Sequence, residues 1–437
     1  MATKGENGVH AIPNINNATN GGLPSPSHIR FIPLSYDSSN SRESALRLVL
    51  SVRPDWSDST STIEFVRFTD GITNTLLKAI NKLPGLSKDD VDRDAILLRA
   101  YGHGTDLIID RHRETQNHEL LMRYGLAPEL LARFQNGMMY RFIRGNVTHP
   151  EDLRKPAIYK AVARRLAEWH AIVPCIPGRT GHHSRQNSRS DVVSVTSEDE
   201  LQRKIDGVAP GKPPPNVWTV MQKWIFALPT ETEAQRARQA ELQREFEGLV
   251  AELSQRPGLG ENGLVFAHCD LLSGNVIVLP NSDPKTSDPQ VAFIDYEYAT
   301  PSPAAFDIAN HFAEWGGFDC DFSVLPTRAQ RREFIAEYIH AYFNLLRSRK
   351  ILTQEVDEEA EVERLLDEVD RFRGVPGFYW GIWALIQATI SEIEFDYASY
   401  AETRLGEYYA WKQEVTGERA RLGKEMPLRE RRWAQEQ

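Results

Sequence analysis

Four polar side chains past the middle of the chain have the types and spacing to hold a reacting hydroxyl beside a metal ion. The stretch "FAHCDLLSGNVIVLP", residues 266–280, sets His268, Asp270 and Asn275 on a short loop between apolar runs, and reads as a hairpin. About twenty residues on, "VAFIDYEYA" ends another apolar run on Asp295. A carboxylate can take the proton of an attacking alcohol, and an amide oxygen a short loop away can hold Mg²⁺ against phosphate oxygens. Asp270 is thus the candidate base and Asn275 a candidate metal ligand. The runs "NVIVL" and "VAFID" predict a β-hairpin with Asn275 at its entry and Asp295 at its exit, so both can face one metal. The plainer alternative is that Asp and Asn only form turns between strands. Two acidic elements so placed point to phosphoryl transfer instead.

A nucleotide also needs a fixed cation at its phosphates. His-x-Asp followed by Asn five residues after the Asp is the spacing of the protein-kinase catalytic loop, and such sites place a cation on the third strand of a sheet lobe, paired with a helix carboxylate. "AILLRAYG" offers Arg99, whose guanidinium keeps its charge and can bind two phosphate oxygens at once. Glu114, early in the next helical stretch, is its candidate partner, although an exposed arginine and a solvated glutamate would look the same in sequence. "TDGITN" is no GxGxxG loop, yet Gly71, Thr73 and Asn74 could bring backbone and side-chain donors to the phosphates. Ile143, in the stretch linking two lobes, is the candidate apolar contact to the nucleotide.

These residues need two kinds of scaffold. From Thr62 to Gly145 the pattern is strand-rich, with "TIEFVRF", "LLKAI", "DAILLRAYG", "PELLARF" and "MMYRFI", and one helix ending near Gly125. From Pro150 the balance turns helical, starting with Ile158, Val162, Leu166 and Trp169 on one face. The expected organisation is a tail over 1–40, a nucleotide-binding lobe over 41–145, a catalytic and substrate lobe over 146–425 and a short tail over 426–437. A Ser-rich segment, about 181–215, has too few apolar residues to pack and reads as a disordered insertion. The fold class is α+β with two lobes, a small mixed α/β lobe and a large, mainly helical one.

With 437 residues, 41% hydrophobic, the chain can bury a sizeable core. Its formal net charge of −10 argues against a nucleic-acid binder that neutralises phosphates. Cys175, Cys269 and Cys320 lack CxxC spacing, which suits a reducing, cytoplasmic setting rather than a disulfide framework or a zinc site. The longest apolar run, Gly377 to Ile390, is short of the roughly 20 residues that span a bilayer, so it predicts a buried helix and no membrane insertion.

Two long motifs, "FIDYEYATPSPAAFDIANHFAEW" and "WGIWALIQATISEIEFDYASYAETRLGEYY", resemble the choline/ethanolamine kinase family, and the resemblance runs from about Thr62 to Tyr409. It implies a fold similar to protein kinases and aminoglycoside phosphotransferases, and transfer of the γ-phosphate of ATP, with Mg²⁺, to the hydroxyl of a small amino alcohol. On that resemblance Asp270 is the base, with His268 and Glu297 supporting, and Asn275 and Asp295 hold magnesium. Arg99 and Glu114 serve ATP, and Glu314, Trp380, Trp383 and Tyr400 grip the cationic head group. Aromatic faces over a desolvated ammonium contribute about 0.5 to 2 kcal/mol each. Without the resemblance, Trp380 and Trp383 at i, i+3 would read as a core stripe. A homodimer is also implied, because members of the family are often dimers.

"FTDGITN", "YGHGTDLIIDR", "FQNGMMYRFIRG" and "GFDCDFSVLP" look like the ethanolamine-preferring branch. Choline kinases commonly place a tyrosine where this chain has Asp319, and losing a ring weakens a cage for a quaternary ammonium. The expected activity is therefore ethanolamine phosphorylation, on the route to phosphatidylethanolamine. Choline kinase is the alternative; another small-molecule phosphotransferase or a catalytically silent nucleotide binder is more remote. Two residues depart from the family pattern: Cys269, where Asn is usual, and Arg141, where an acidic or amide residue is typical. His311 matches the family but reads as a satisfied core histidine.

Overall fold

The computed structural model describes residues 29–68, 74–102, 108–175, 197–280, 288–391 and 393–437. These fall into two units, 29–102 with 115–144, and 108–114 with 145–437.

The first unit is built on β1 (Phe31–Ile32), β2 (Ile63–Phe68), β3 (Asn74–Asn81), β4 (Ile96–Tyr101), β5 (Leu130–Phe134) and β6 (Gly137–Arg141), in the order β1-β5-β6-β4-β3-β2. Only β1, parallel to β5, departs from antiparallel pairing. Helix α1 (Ser41–Val52) buries Ser44, Ala45, Leu48 and Val49, an i, i+1, i+4, i+5 face, and packs with Trp56, Ile63, Leu77, Leu98 and Phe134 in the core. Helix α2 (Lys88–Asp94) is capped by Ser87, and α3 (Arg111–Arg123) ends before Gly125, whose φ of 71° is glycine's to adopt. Arg99 thereby sits on the central strand β4 and Asn74 opens β3 opposite Tyr101.

The second unit holds β7 (Asn146–Val147), β8 (Val265–Ala267), β9 (Val276–Val278), β10 (Val291–Phe293) and β11 (Thr300–Ser302). Around them lie α4 (Pro156–Ile172), α5 (Ser197–Asp206), α6 (Val217–Phe226), α7 (Glu233–Leu253), α8 (Ala304–Ala313), α9 (Arg328–Ser348), α10 (Glu358–Phe372), α11 (Val375–Ile390), α12 (Tyr397–Val415), α13 (Glu418–Arg421) and α14 (Leu428–Trp433). The predicted hairpin forms, with Val276 opposite Phe293 and Val278 opposite Val291. The loop before it is not a hairpin: β8 pairs with β11, and β9 with β10 and β7, so residues 268–275 cross between two small sheets. Trp169 of α4 is fully buried against Phe266, His268, Phe293 and Tyr296 and forms the floor under that crossing.

Three boundaries differ from the sequence reading. The N-terminal tail expected to reach residue 40 gives way at β1, and Tyr36 is tied through both backbone groups to the Asn136 amide at 2.9 Å. Residues 197–206 of the Ser-rich segment are helical: acidic Glu198, Asp199 and Glu200 in the first turn and basic Arg203 and Lys204 in the last complement the helix dipole, a signal that counting apolar residues misses. The expected C-terminal tail instead contains α14, with Arg429, Glu430 and Trp433 buried. Residues 181–196 of the Ser-rich segment, and the first 28 residues, lie outside the described residues.

Helix α11 is buried almost all round, as its composition predicts, and at 16 residues it is about 24 Å long; no described helix is long and apolar enough to cross a membrane. Gly377 and Gly381 let it lie backbone to backbone on α12: a Cβ at 377 would stand 2.6 Å from the Arg404 carbonyl oxygen, and one at 381 would stand 2.5 Å from Leu405 Cγ. Gly377→Ala gains helix propensity yet should lose about 1–3 kcal/mol by overpacking. Urea denaturation checks this; a midpoint unchanged or raised would contradict the close approach.

Candidate active site

The catalytic-loop candidates are held by side chains of α8, spaced so that one helical face serves successive backbone groups. Asp307 accepts from the backbone N–H of His268 at 2.9 Å and of Cys269 at 2.8 Å. Asn310 donates to the Cys269 carbonyl at 2.9 Å, and His311 Nδ1 donates to the Leu271 carbonyl at 2.8 Å. Asp307 is itself bound at 2.9 Å by His170 of α4, whose other ring nitrogen meets Tyr338 Oη at 2.8 Å. Burial pushes the Asp307 carboxyl up, but the His170 hydrogen bond and charge, with His268, bring it below its ordinary range.

His268 has a defined tautomer. Its Nε2 lies 3.0 Å from the Ile294 carbonyl and must donate, so Nδ1 accepts from the Asp270 N–H at 3.3 Å. The ring is neutral: burial lowers its pKa to about 4, against some opposition from Asp307 and the carbonyl. His268 therefore supports the loop, between the residue that precedes Asp295 and the candidate base. Cys269 takes φ of 63°, a left-handed conformation that Asn adopts more readily, which accounts for the family's preference there. Its thiol is fully buried, 3.3 Å from Ser302 Oγ.

Asp270 is buried, and Asn275 Nδ2 donates to its carbonyl at 2.8 Å and its carboxylate at 3.1 Å. That assignment leaves the Asn275 amide oxygen as an acceptor. The Ile294 N–H donates to the Asn275 carbonyl at 3.0 Å, which brings Asn275 next to the chain entering Asp295. Asp295 itself has φ of 65°, turning the chain sharply at the end of β10. Burial first, then the charges of Asp295, Glu314 and Glu297, push the Asp270 carboxyl well above its ordinary range, and the Asn275 hydrogen bond opposes them weakly. Such an excess of negative charge is what a cation relieves. Among the described residues no group of three or more His, Cys, Asp and Glu gathers as a metal centre. An amide oxygen and one or two carboxylates nevertheless fit Mg²⁺, which keeps waters and takes phosphate oxygens for its other positions.

Glu297, 8% exposed, is bridged by Arg111 at 3.1 Å, and the same guanidinium nitrogen reaches Glu114 at 3.0 Å. Arg111 went unrecognised in the sequence, although it stands three residues before Glu114 on the same helix. Arg99 is buried on β4 in the first unit, and Ile143 follows β6 there. Gly71 and Thr73 lie outside the described residues.

The four substrate candidates fall into two pairs, Trp380 with Trp383 and Glu314 with Tyr400 through Arg404. Trp380 and Trp383 meet edge to face at 5.4 Å, with their N–H groups held by Asn310 Oδ1 and Tyr298 Oη, both at 2.8 Å. Both indoles are buried, with Tyr298 and Tyr379 also edge-on to Trp380 and Tyr397 edge-on to Trp383. Glu314 ends α8 and accepts from Arg404 at 3.1 Å, and the same guanidinium lies 3.3 Å from Tyr400 Oη. Glu314 is thus already paired with Arg404. Tyr298, edge-on to Trp380 at 5.5 Å, was not foreseen, and neither was the rim. Phe318 packs with Tyr400 at 6.2 Å and Phe395 at 6.2 Å, and both phenylalanines are exposed. Asp319 is exposed, and the ring of Phe318 stands one residue before it. The phenylalanine beside Asp319 in "GFDCDF" was the available signal.

A family model described as Choline/ethanolamine kinase matches residues 65–409. The chain belongs to the choline/ethanolamine kinase family. Ethanolamine kinase 1 of Mus musculus is 33% identical over 86% of this chain and 90% of its own length. Ethanolamine kinase 1 of Homo sapiens is 34% identical over 86% of this chain and 73% of its own. The fold matches the Plasmodium vivax ethanolamine kinase with a TM-score of 0.62, at 23% identity over 85% of this chain and 89% of that one. It also matches a Cryptosporidium parvum choline kinase with a TM-score of 0.57, at 21% identity over 86% of this chain and 96% of that one. The two-lobed, kinase-like architecture implied by the motifs is therefore that of the family.

His268 and His311 titrate in the fold near pH 4, against 6.5 when unburied, because burial disfavours the charged ring. The unfolded chain binds the extra protons first, so the stability these two contribute is full above pH 6.5 and is lost as the pH falls toward 4. Between pH 7.5 and 5, urea titrations should show a loss on the order of 1–2 kcal/mol per histidine. A flat or rising stability over that range would contradict the neutral, buried assignment.

Proposed function

We propose that the chain phosphorylates the hydroxyl of ethanolamine at the expense of ATP, giving phosphoethanolamine, a precursor of phospholipid head groups. The observation that carries this is that Asp270, the candidate base, and Glu314, a candidate for the cationic head, are both buried on or against one helix, α8: Asp307 and Asn310 hold the loop of Asp270, and Glu314 ends the helix. Ammonium and hydroxyl of a small amino alcohol are only a few bonds apart, and the two ends of the site are suited to one each. The names of the relatives support ethanolamine as the alcohol.

In this reading the substrate ammonium lies against Glu314 and the indole faces, and its hydroxyl faces Asp270. Asp270 accepts the hydroxyl proton as the oxygen attacks the γ-phosphorus; the high proton affinity that burial and neighbouring carboxylates give it suits a base. Asn275 and Asp295 would hold Mg²⁺, which when bound offsets charge on the phosphates. Arg99, Asn74, Gly71, Thr73 and Ile143 are proposed to serve the nucleotide. Glu114 is proposed to act with Arg99, and Arg111 couples Glu114 to Glu297. We place the protein in the cytoplasm and expect a homodimer.

Choline, as the preferred or a second substrate, is favoured by one specific observation, the additional ring of Phe318 beside Tyr400. The purified protein should give a kcat/KM at least about tenfold higher for ethanolamine than for choline. The reverse order would assign it to choline. Asp270→Ala should fold with an unchanged melting curve and lose about 10²- to 10⁴-fold in kcat; near-normal turnover would remove Asp270 from the mechanism. Asp295→Ala should raise the Mg²⁺ concentration needed for half-maximal rate, measured by titration after chelation. An unchanged requirement would mean that Asp295 is no ligand.

A further inference from the structure

The Glu314 carboxylate begins a chain of buried charges that leads into the C-terminal segment. Arg404 Nη1 is 3.1 Å from Glu314 and its Nε 3.4 Å from Glu407. Arg429 Nε is 3.5 Å from the other oxygen of Glu407, and Arg429 Nη1 is 2.8 Å from Glu430. Arg373 closes the series on Glu430 at 2.9 Å. Signs alternate along the six groups, and Glu314, Arg404, Glu407, Arg429 and Glu430 are all buried. The contacts differ in kind. Arg404 donates a hydrogen bond to Glu314, whereas its Nε and Nη2, Glu407 Oε1 and Arg429 Nε are buried without hydrogen-bond partners. Arg404 is thus shared between two carboxylates, one facing the pocket and one behind it. Burial lowers the pKa of Arg404, and Glu407, ahead of Tyr400 and Glu314, more than reverses this.

The segment that braces Glu407 is firmly seated, and it lies beyond residue 409, where the family match ends. The Arg331 guanidinium stacks 3.9 Å over the Trp433 ring, and Trp433 Nε1 donates to Asp370 at 2.7 Å. The carbonyls of Gln435 and Glu436 accept from the backbone N–H groups of Arg328 and Ala329 at 2.8 and 3.0 Å, capping the first turn of α9. Trp433 also packs on Phe312, two residues before Glu314.

We propose that Glu407, braced by Arg429 of the C-terminal segment, is a positioning residue for the amino alcohol: it draws part of the Arg404 charge away from Glu314, leaving Glu314 a net negative charge for the ammonium. Without Glu407 the guanidinium turns fully to Glu314 and competes with the substrate for it. The proposal rests on the amino-alcohol reading above.

The test is steady-state kinetics on the full chain with ethanolamine and choline varied separately from ATP, alongside thermal melting. Turnover of neither alcohol by the unmodified protein would overturn the functional reading itself, before any variant is compared. Given turnover, Glu407→Gln should raise KM for the amino alcohol about tenfold, with kcat changed less than twofold and KM for ATP unchanged. Glu407→Asp keeps the charge but withdraws the carboxylate by one methylene, and should raise that KM by about two- to fivefold; it serves where the amide variant does not fold. An unchanged amino-alcohol KM in the folded variant overturns the proposal. So does a parallel loss in both KM values and kcat, the pattern of a merely structural role.

Discussion

A carboxylate out of reach of water, at Asp307, must hold two consecutive backbone N–H groups and one imidazole at once. Burying an ionised group is costly unless every lone pair is met, and here the partners come from the loop on one side and α4 on the other. The loop carries bonds of its own, from the Asp270 N–H to His268 and from Asn275 to Asp270 and Leu272, but its two ends join strands of different sheets. Its placement is set by α8, through Asp307, Asn310 and His311 on adjoining turns. The left-handed turn at Cys269 persists because both its N–H and its carbonyl are gripped by that helix. Asp270 and Asn275 inherit their positions from this arrangement.

The same helix ends at Glu314, so one rigid rod carries both the support for the Asp270 loop and the carboxylate proposed for the cationic head. Asn310 joins the two tasks, since its amide nitrogen holds Cys269 and its oxygen holds the Trp380 indole. Electrostatically the second unit gathers Asp270, Asp295, Glu297 and Glu314, and the charges of the other three push the Asp270 carboxyl up. Arg111 and Arg404 are each divided between two acids.

Much of this was legible in the chain. The strand pattern located the β9–β10 hairpin, and spacing singled out Asp270, Asn275 and Asp295, because period-two alternation and loop chemistry are local properties. The substrate candidates came from long motifs rather than from periodicity, which gave Trp380 and Trp383 only as a buried helical stripe. Partnerships were less visible. Arg404, Arg111 and Tyr298 act through residues far away in sequence, and a single sequence does not reveal which buried charges meet. Helix α5 and the C-terminal segment escaped for a different reason: charged helices with few apolar positions look like solvated tails until dipole and partners are counted.

The contact between α11 and α12 at Gly377 and Gly381 has a bearing on how substrate range can change. Two backbones already touching cannot come closer, and each is wedged by Trp411 against Gly374 and by Leu405 against Gly381. The spacing of α11 and α12 is thus of fixed gauge, and in the proposed amino-alcohol site a change of head group would be met by exchanging side chains on these helices rather than by moving them.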